Sequence, residues 1–262
     1  MTAPPRGLEA ILRARSASGA KLLVPYVMAG MVPDWLEVVH AVAAAGADAV
    51  EIGLPFSDPV MDGPVIQQAG LRSLRAGSTP SGLIDAVAGA HLEVPLAVMT
   101  YYNVVFRAGH RRMARRLAEA GIGGAIVPDL PLEELDGWGE EAEEAGVDPI
   151  LLVAPSTPPD RVAAICARCR GFVYAVARMG VTGERPERSD DVAAVVGRIR
   201  AATDLPVCAG VGVSTPEQAG AAGRFADGVV VGSALVRRLL EGAGPDGAAS
   251  FVGDLRRALD AG

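Results

Sequence analysis

Residues 145–153 read Ala-Gly-Val-Asp-Pro-Ile-Leu-Leu-Val, and the architecture of the chain can be worked out from this stretch. Gly146 stands just past a predicted helix, where glycine readily takes the left-handed backbone that ends a helix. The run Ile150-Leu151-Leu152-Val153 is apolar at every position, which is typical of a strand buried on both faces of a parallel sheet. The stretch therefore predicts a helix end, a turn and a buried parallel strand.

The same pattern recurs along the chain, at Ala45-Gly46-Ala47-Asp48 and Ala120-Gly121-Ile122-Gly123. Eight strands are predicted, over residues 22–29, 49–54, 95–100, 124–127, 149–153, 172–177, 206–210 and 228–231. Helices are predicted between them, including 35–45, 111–120, 132–145, 159–169 and 190–201, with extra helical segments at 8–17 and after Gly247. Alternating strands and helices predict an α/β protein. We expect residues 1–262 to form a single domain, a (β/α)8 or TIM barrel with extra terminal helices, and an open doubly wound sheet is the alternative.

Composition narrows the class of protein. The chain has 262 residues, 50% of them hydrophobic, and a formal net charge of -7, which excludes disorder and suits one large barrel. No basic stripe could neutralise a nucleic acid backbone. Charged residues interrupt the first fifteen positions, and no apolar stretch approaches the roughly 18 residues of a membrane span. We expect a soluble cytoplasmic protein with no nucleic acid or membrane partner, whose cysteines, including the pair in Cys166-Ala-Arg-Cys169, are reduced thiols.

Two counts disfavour the common aldolase mechanisms. Lys21 is the only lysine, and its place before the first predicted strand is at the end of a barrel opposite the catalytic end. His40, His91 and His110 fall in predicted helices or helix entrances without metal-ligand spacing. Schiff-base and metal-dependent chemistry are therefore not expected, and no metal site is predicted.

Two carboxyl groups belong to the second β/α unit. Glu51 interrupts the apolar pattern of residues 49–54; an inward carboxyl group there is either a general acid-base with a raised pKa or a structural group satisfied by a tyrosine or backbone donor. Asp62 follows eleven residues later. It either returns over the same opening or caps the helix that begins near Pro64.

Glycines follow the last three predicted strands, in Gly180-Val181-Thr182-Gly183, Gly210-Val211-Gly212-Val213-Ser214 and Gly232-Ser233-Ala234. Glycines let backbone N–H groups approach an anion, and a helix N-terminus adds its positive dipole end. Because the last loops of a barrel commonly bind phosphate, the three together favour a phosphorylated small substrate. Turn glycines without a ligand are the alternative.

These residues resemble the tryptophan synthase alpha subunit family over nearly the whole chain. The resemblance is carried chiefly by Pro55-Phe56-Ser57-Asp58-Pro59 with Asp62-Gly63-Pro64, and further by Pro25-Tyr26, Met99-Thr100-Tyr101-Tyr102-Asn103 and Pro128-Asp129-Leu130-Pro131. It implies a carbon–carbon lyase of tryptophan biosynthesis that converts indole-3-glycerol phosphate to indole and glyceraldehyde 3-phosphate by a retro-aldol reaction without a cofactor. It also implies a beta subunit partner, which uses pyridoxal phosphate, in an alpha2beta2 complex.

The resemblance also implies residue roles. Glu51 would be the general acid-base and Asp62 the carboxylate that holds the indole N–H. Substrate and phosphate contacts would come from Tyr26, Tyr101, Tyr174, Thr182, Gly183, Gly212, Gly232 and Ser233. Pro55 and Asp58 would face the partner.

The chain departs from the family pattern at residues 29–33, at Met61 and at Val104, around the expected active-site mouth or partner face. A free-standing indole-3-glycerol-phosphate lyase therefore stays open beside the alpha subunit. A third hypothesis is a binding module that mainly activates its partner.

Overall fold

The computed structural model describes residues 7–176 and 189–262. In these ranges the strands are β1 (Leu22–Met28), β2 (Val50–Gly53), β3 (Leu96–Met99), β4 (Ile122–Ile126), β5 (Asp148–Ile150), β6 (Leu152–Val153), β7 (Val173–Val176), β8 (Val207–Gly210) and β9 (Gly228–Val231). The helices are α1 (Leu8–Ala17), α2 (Trp35–Ala44), α3 (Pro64–Arg75), α4 (Pro80–Gly89), α5 (Tyr102–Ala108), α6 (His110–Glu119), α7 (Asp136–Ala145), α8 (Pro159–Arg168), α9 (Ser189–Arg200), α10 (Pro216–Gly223), α11 (Ser233–Leu240) and α12 (Gly244–Asp260).

The described strands form one parallel sheet in the order β5-β4-β3-β2-β1-β9-β8-β7-β6. The two end strands, β5 and β6, are separated in the chain by Leu151 alone. They are the two halves of the single strand predicted at 149–153, so the sheet closes on itself. This order confirms the TIM barrel, and the open doubly wound sheet is wrong.

Leu151 forms the seam where the barrel closes. Its carbonyl accepts a hydrogen bond from the backbone N–H of Tyr174 at 3.0 Å, while its own N–H donates to the Cys169 thiol at 3.3 Å. That thiol in turn donates to the carbonyl of Phe172 at 3.2 Å. A buried cysteine therefore takes the place of a strand partner, and all three cysteines are free.

Helix α1 closes the amino end of the barrel. Leu8 and Leu12 are buried against the residues that fill the barrel interior, among them Ile150 and Phe172. The Glu9 carboxylate accepts a hydrogen bond from the backbone N–H of Gly171 at 3.0 Å. Lys21 lies at this same closed end, directly before β1, and its ammonium group donates to the carbonyl of Ala226 at 3.0 Å. Any reacting molecule must therefore enter from the other end, where the strands finish.

The helix boundaries follow local signals with two exceptions. Gly46, Gly121 and Gly146 have φ angles of 106°, 76° and 81°, the left-handed backbone predicted after helix ends. The helix predicted at 132–145 is instead a short 3-10 turn (Leu132–Glu134) followed by α7, and the last helix already begins at Gly244. Within the described ranges no helix is both long and apolar enough to cross a membrane.

Candidate active site

Glu51 lies on β2, inside the barrel near the carboxyl ends of the strands. Its side chain is 1% exposed, and its Oε2 atom has no hydrogen-bond partner among the described residues. Burial, assisted by the nearby Asp62 carboxylate, raises the pKa of Glu51 to about 8. An inward carboxyl group held protonated at neutral pH is suited to acid-base chemistry, whereas a structural glutamate would have its oxygens satisfied.

Asp62 does not cap a helix. The N-cap of α3 is Gly63, and no side chain caps that helix end. The Asp62 carboxylate is instead buried, which raises its pKa to about 6, and it accepts a hydrogen bond from the Tyr101 hydroxyl, which opposes that rise. The same hydroxyl accepts the backbone N–H of Met61 at 3.0 Å. Asp62 therefore faces the barrel opening together with Tyr101, and the alternative that Asp62 caps α3 is wrong.

Two tyrosine rings enter the site over glycines. A Cβ atom on Gly53 would lie 1.9 Å from the Tyr26 hydroxyl oxygen, and one on Gly210 would lie 2.3 Å from the Tyr174 ring. Burial raises the pKa of both tyrosines well above its ordinary value; the next causes are the Asp62 charge and then the Glu51 charge at Tyr26, and the Glu51 charge at Tyr174. The two rings therefore face the carboxyl groups. Sequence reasoning assigned Gly210 to an anion loop and gave Gly53 no part in the site, although a glycine in a strand indicates close approach.

An apolar wall stands beside the carboxyl groups, and sequence reasoning missed it too. Met99 and Leu152 are only partly buried and, with Tyr174, pack on the top of the interior cluster. The Phe56 ring stacks on Tyr101 with ring centroids 5.1 Å apart. Alternation along β3 and β6 was the available signal, since Met99 and Leu152 fall on inward positions. The wall gives the cavity one face suited to a flat aromatic molecule.

The glycine loops lie at the same end of the barrel. Gly232 is the N-cap of α11, and Ser233 is its first residue. A Cβ on Gly232 would lie 3.6 Å from the Cβ of Tyr26, which places this loop against the tyrosine, and the space beside Gly212, whose φ is +68°, is open. First-turn N–H groups of a helix lack intrahelical acceptors, so an anion could be bound here. Thr182 and Gly183 lie outside the described residues.

The two residues expected at a partner face differ in exposure. Pro55 is buried and Asp58 is exposed, and the Ser57 hydroxyl donates to the Asp58 carboxylate at 2.5 Å. Val60, two residues further, is 71% exposed. This loop thus presents a carboxylate and an apolar side chain outward.

Fold and site together define a class of protein: a TIM barrel with two buried carboxyl groups, an apolar wall and loop glycines at the open end. A sequence model of the family described as tryptophan synthase alpha chain matches residues 12–252. The tryptophan synthase alpha chain of Streptomyces avermitilis is 44% identical, over 97% of this chain and 95% of that protein. The chain belongs to the tryptophan synthase alpha chain family, as the resemblance predicted, and its class as a carbon–carbon lyase is confirmed.

Solved structures agree with this assignment. The structure of Mycobacterium tuberculosis tryptophan synthase aligns with a TM-score of 0.88 at 39% identity, covering 96% of this chain and 97% of that one. Tryptophan synthase subunit alpha from Legionella pneumophila aligns with a TM-score of 0.89 at 30% identity, covering 97% and 98%.

Proposed function

We propose that this chain cleaves indole-3-glycerol phosphate to indole and glyceraldehyde 3-phosphate, as the alpha chain of a tryptophan synthase in tryptophan biosynthesis. The observation that carries the proposal is the pair of buried carboxyl groups, Glu51 and Asp62, with pKa values raised to about 8 and about 6. Between these values Glu51 is an acid while Asp62 is ionised. One group can then give a proton while the other stabilises positive charge.

The chemistry needs only these two groups and the substrate. Protonated Glu51 gives its proton to C3 of the indole ring, and the ionised Asp62 accepts the indole N–H as positive charge develops on the ring. The Glu51 carboxylate then takes the proton of the glycerol hydroxyl next to the ring. The carbon–carbon bond breaks, its electrons return to the indole, and the hydroxyl carbon becomes the aldehyde. Glu51 is protonated again at the end.

The surrounding residues bind the substrate in this proposal. Met99, Leu152 and Tyr174 would pack on the indole ring, while Tyr26 and Tyr101 keep the carboxyl groups in place. The backbone N–H groups at Gly212, Gly232 and Ser233, with Thr182 and Gly183, would hold the phosphate. The glycerol chain of the substrate would then span the distance between the apolar wall and the glycine loops.

The partner is proposed from the family membership and from the exposure of one loop. Membership of an alpha chain family implies a beta subunit, and we place the contact at the loop that carries Pro55 and Asp58, because Asp58 and Val60 are exposed there. Buried Pro55 would act by fixing the loop. An alpha2beta2 assembly in the cytoplasm completes the proposal. No observation favours a free-standing lyase or a mere binding module.

The function is tested by measuring indole release from indole-3-glycerol phosphate. The purified chain is assayed with and without a beta subunit from the same source. We expect slow release alone and a large increase on mixing. Fast release that the beta subunit does not change would make the chain a free-standing lyase. Mixing that activates only the partner, with no indole release, would leave a binding module.

A further inference from the structure

A second concave site lies between α4, α5 and α6, and its lining shares no residue with the candidate active site. This cleft has a volume of about 500 Å³, and its lining includes Ile84, Val104, Arg107, Arg112, Met113 and Arg116. Small-molecule sites commonly measure about 300 to 1,000 Å³. The cleft is large enough for a ligand of one or two rings.

The floor of the cleft is apolar. Ile84 and Met113 are 2% and 3% exposed and lie at its base, and Val104 and Ala108 complete the lining from α5. Such a floor favours a ligand with a hydrocarbon or aromatic body, because burial of apolar surface is favourable on both sides.

The rim is cationic in a chain whose net charge is -7. Three arginines and no acidic residue line the cleft. Arg116 is held in place by the Asp85 carboxylate at 2.5 Å and by the carbonyl of Ser81 at 3.2 Å. Arg107 and Arg112 are exposed, and within the described residues neither forms an ion pair. After Asp85 is counted against Arg116, two positive charges remain for a ligand.

We propose that this cleft binds an amphipathic organic dianion, a phosphate monoester with an aromatic or aliphatic body. The two unpaired guanidinium groups would each donate to phosphate oxygens, in the forked geometry that arginine favours, and the body would rest on Ile84 and Met113. The site is separate from the glycine loops proposed for the substrate phosphate, and it does not depend on that proposal.

Phenyl phosphate is a suitable probe, and the methionine methyl groups of the full-length chain are suitable reporters in an NMR titration. Met113 reports on the cleft, whereas Met61 and Met99 report on the candidate active site; substitution of each methionine by leucine assigns its signal. We expect a saturable shift of the Met113 signal, with affinity at least about tenfold higher than for inorganic phosphate or phenol.

The double variant Arg107→Gln/Arg112→Gln should weaken the Met113 response at least about tenfold while indole release and the responses of Met61 and Met99 stay unchanged. Arg115→Gln is the matched control, since Arg115 is exposed on the same helix but does not line the cleft. Equal weakening by the control, or equal affinity for inorganic phosphate, would overturn the proposal. So would a Met113 response to an oligo-aspartate peptide and none to phenyl phosphate, which would make the cleft a protein-docking surface. Because indole release is assayed separately, failure here leaves the proposed function standing.

Discussion

Burial makes the protonated form the ordinary state of Glu51 at neutral pH, and that single fact governs the chemistry at the residue scale. The pKa of Glu51 is about 8 because its side chain is desolvated and the Asp62 charge is near. Burial also raises the pKa of Asp62, but only to about 6, because the hydrogen bond from the Tyr101 hydroxyl stabilises its charged form. Two carboxyl groups in one cavity are thus in opposite protonation states over a window of pH.

The pH dependence of kcat/KM should reflect this window. We expect a bell-shaped profile, rising as Asp62 ionises near pH 6 and falling as Glu51 loses its proton near pH 8, with apparent values that belong to the coupled pair. In Asp62→Asn the rate should fall strongly and the acidic limb should disappear. The basic limb should also move to lower pH, since the Asp62 charge no longer raises the pKa of Glu51. A profile that Asp62→Asn leaves unchanged would contradict the pairing.

Glu51→Gln should lose cleavage by at least about 100-fold, because an amide keeps the shape but transfers no proton. It should also change stability. Below the unfolded-state pKa of about 4.5 both states are protonated, so burial carries no ionisation cost. Between 4.5 and 8 only the unfolded state ionises, so wild-type stability falls with rising pH, by up to about 5 kcal/mol.

Denaturant unfolding across this pH range measures that effect. The stability of Glu51→Gln relative to wild type should increase from pH 4.5 to 8 and then level off, whereas exposed Glu93→Gln should show no such trend. Parallel stability curves for wild type and Glu51→Gln would show that Glu51 is not buried in its protonated form.

At the scale of elements, strand glycines admit the rings that cover the catalytic groups. Gly53→Ala would place a methyl group 1.9 Å from the Tyr26 hydroxyl oxygen, so the ring must move and water reaches Glu51. We expect the pKa of Glu51 to fall, the basic limb of the rate profile to move to lower pH, and kcat/KM to fall about tenfold or more. Steady-state kinetics over pH 5 to 9 would measure both the position of the basic limb and the fall in kcat/KM.

Gly70→Ala is the matched control, because a Cβ there meets only the methyl group of Met28 at an ordinary 3.6 Å. In the interior of α3 this change should raise stability by about 0.5–1 kcal/mol. A Gly53→Ala profile identical to that of Gly70→Ala would mean that Tyr26 does not shield Glu51.

The barrel seam is a second feature at this scale. Cys169→Ala should lower the free energy of unfolding by about 1–3 kcal/mol, because the buried N–H of Leu151 loses its acceptor, and Cys169→Ser should recover part of that loss. Cys166→Ala, which removes no such acceptor, is the control for deletion of a buried thiol. Equal losses in the two alanine variants, by thermal or urea unfolding, would show that the Leu151 contact contributes nothing.

The sequence predicted the features that depend on local pattern and missed those that depend on residues far apart in the chain. Glu51 was predicted because a charge interrupts an apolar strand, and the loop glycines because helices must end before strands begin. The split of strand 149–153 was not, since its apolar run is continuous and the interruption depends on Cys169, 18 residues away. The sequence left the role of Asp62 open for the same reason: its Tyr101 partner comes from another strand end. The arginine cleft is built from three helices, so no single stretch of sequence indicates it.

For the whole molecule, stability and chemistry are divided between the two ends of the barrel. Leu12, 0% exposed, fills the closed end, so Leu12→Ala should cost about 2–5 kcal/mol of stability. The folded variant should keep the wild-type rate profile, since Glu51 lies toward the open end. Leu71→Ala, at a side chain 47% exposed, should cost far less. Loss of activity in Leu12→Ala at a temperature where it remains folded would argue against this division.

The solitary Lys21 has a practical consequence. Amine-reactive reagents have one side-chain target in this chain, at the closed end of the barrel. A surface activated with succinimidyl ester that reacts at Lys21 would therefore tether the protein by the closed end of its barrel, with the substrate entrance turned toward the bulk solution. Reaction at Lys21 therefore suits oriented immobilisation, and it also places a dye far from the reacting groups.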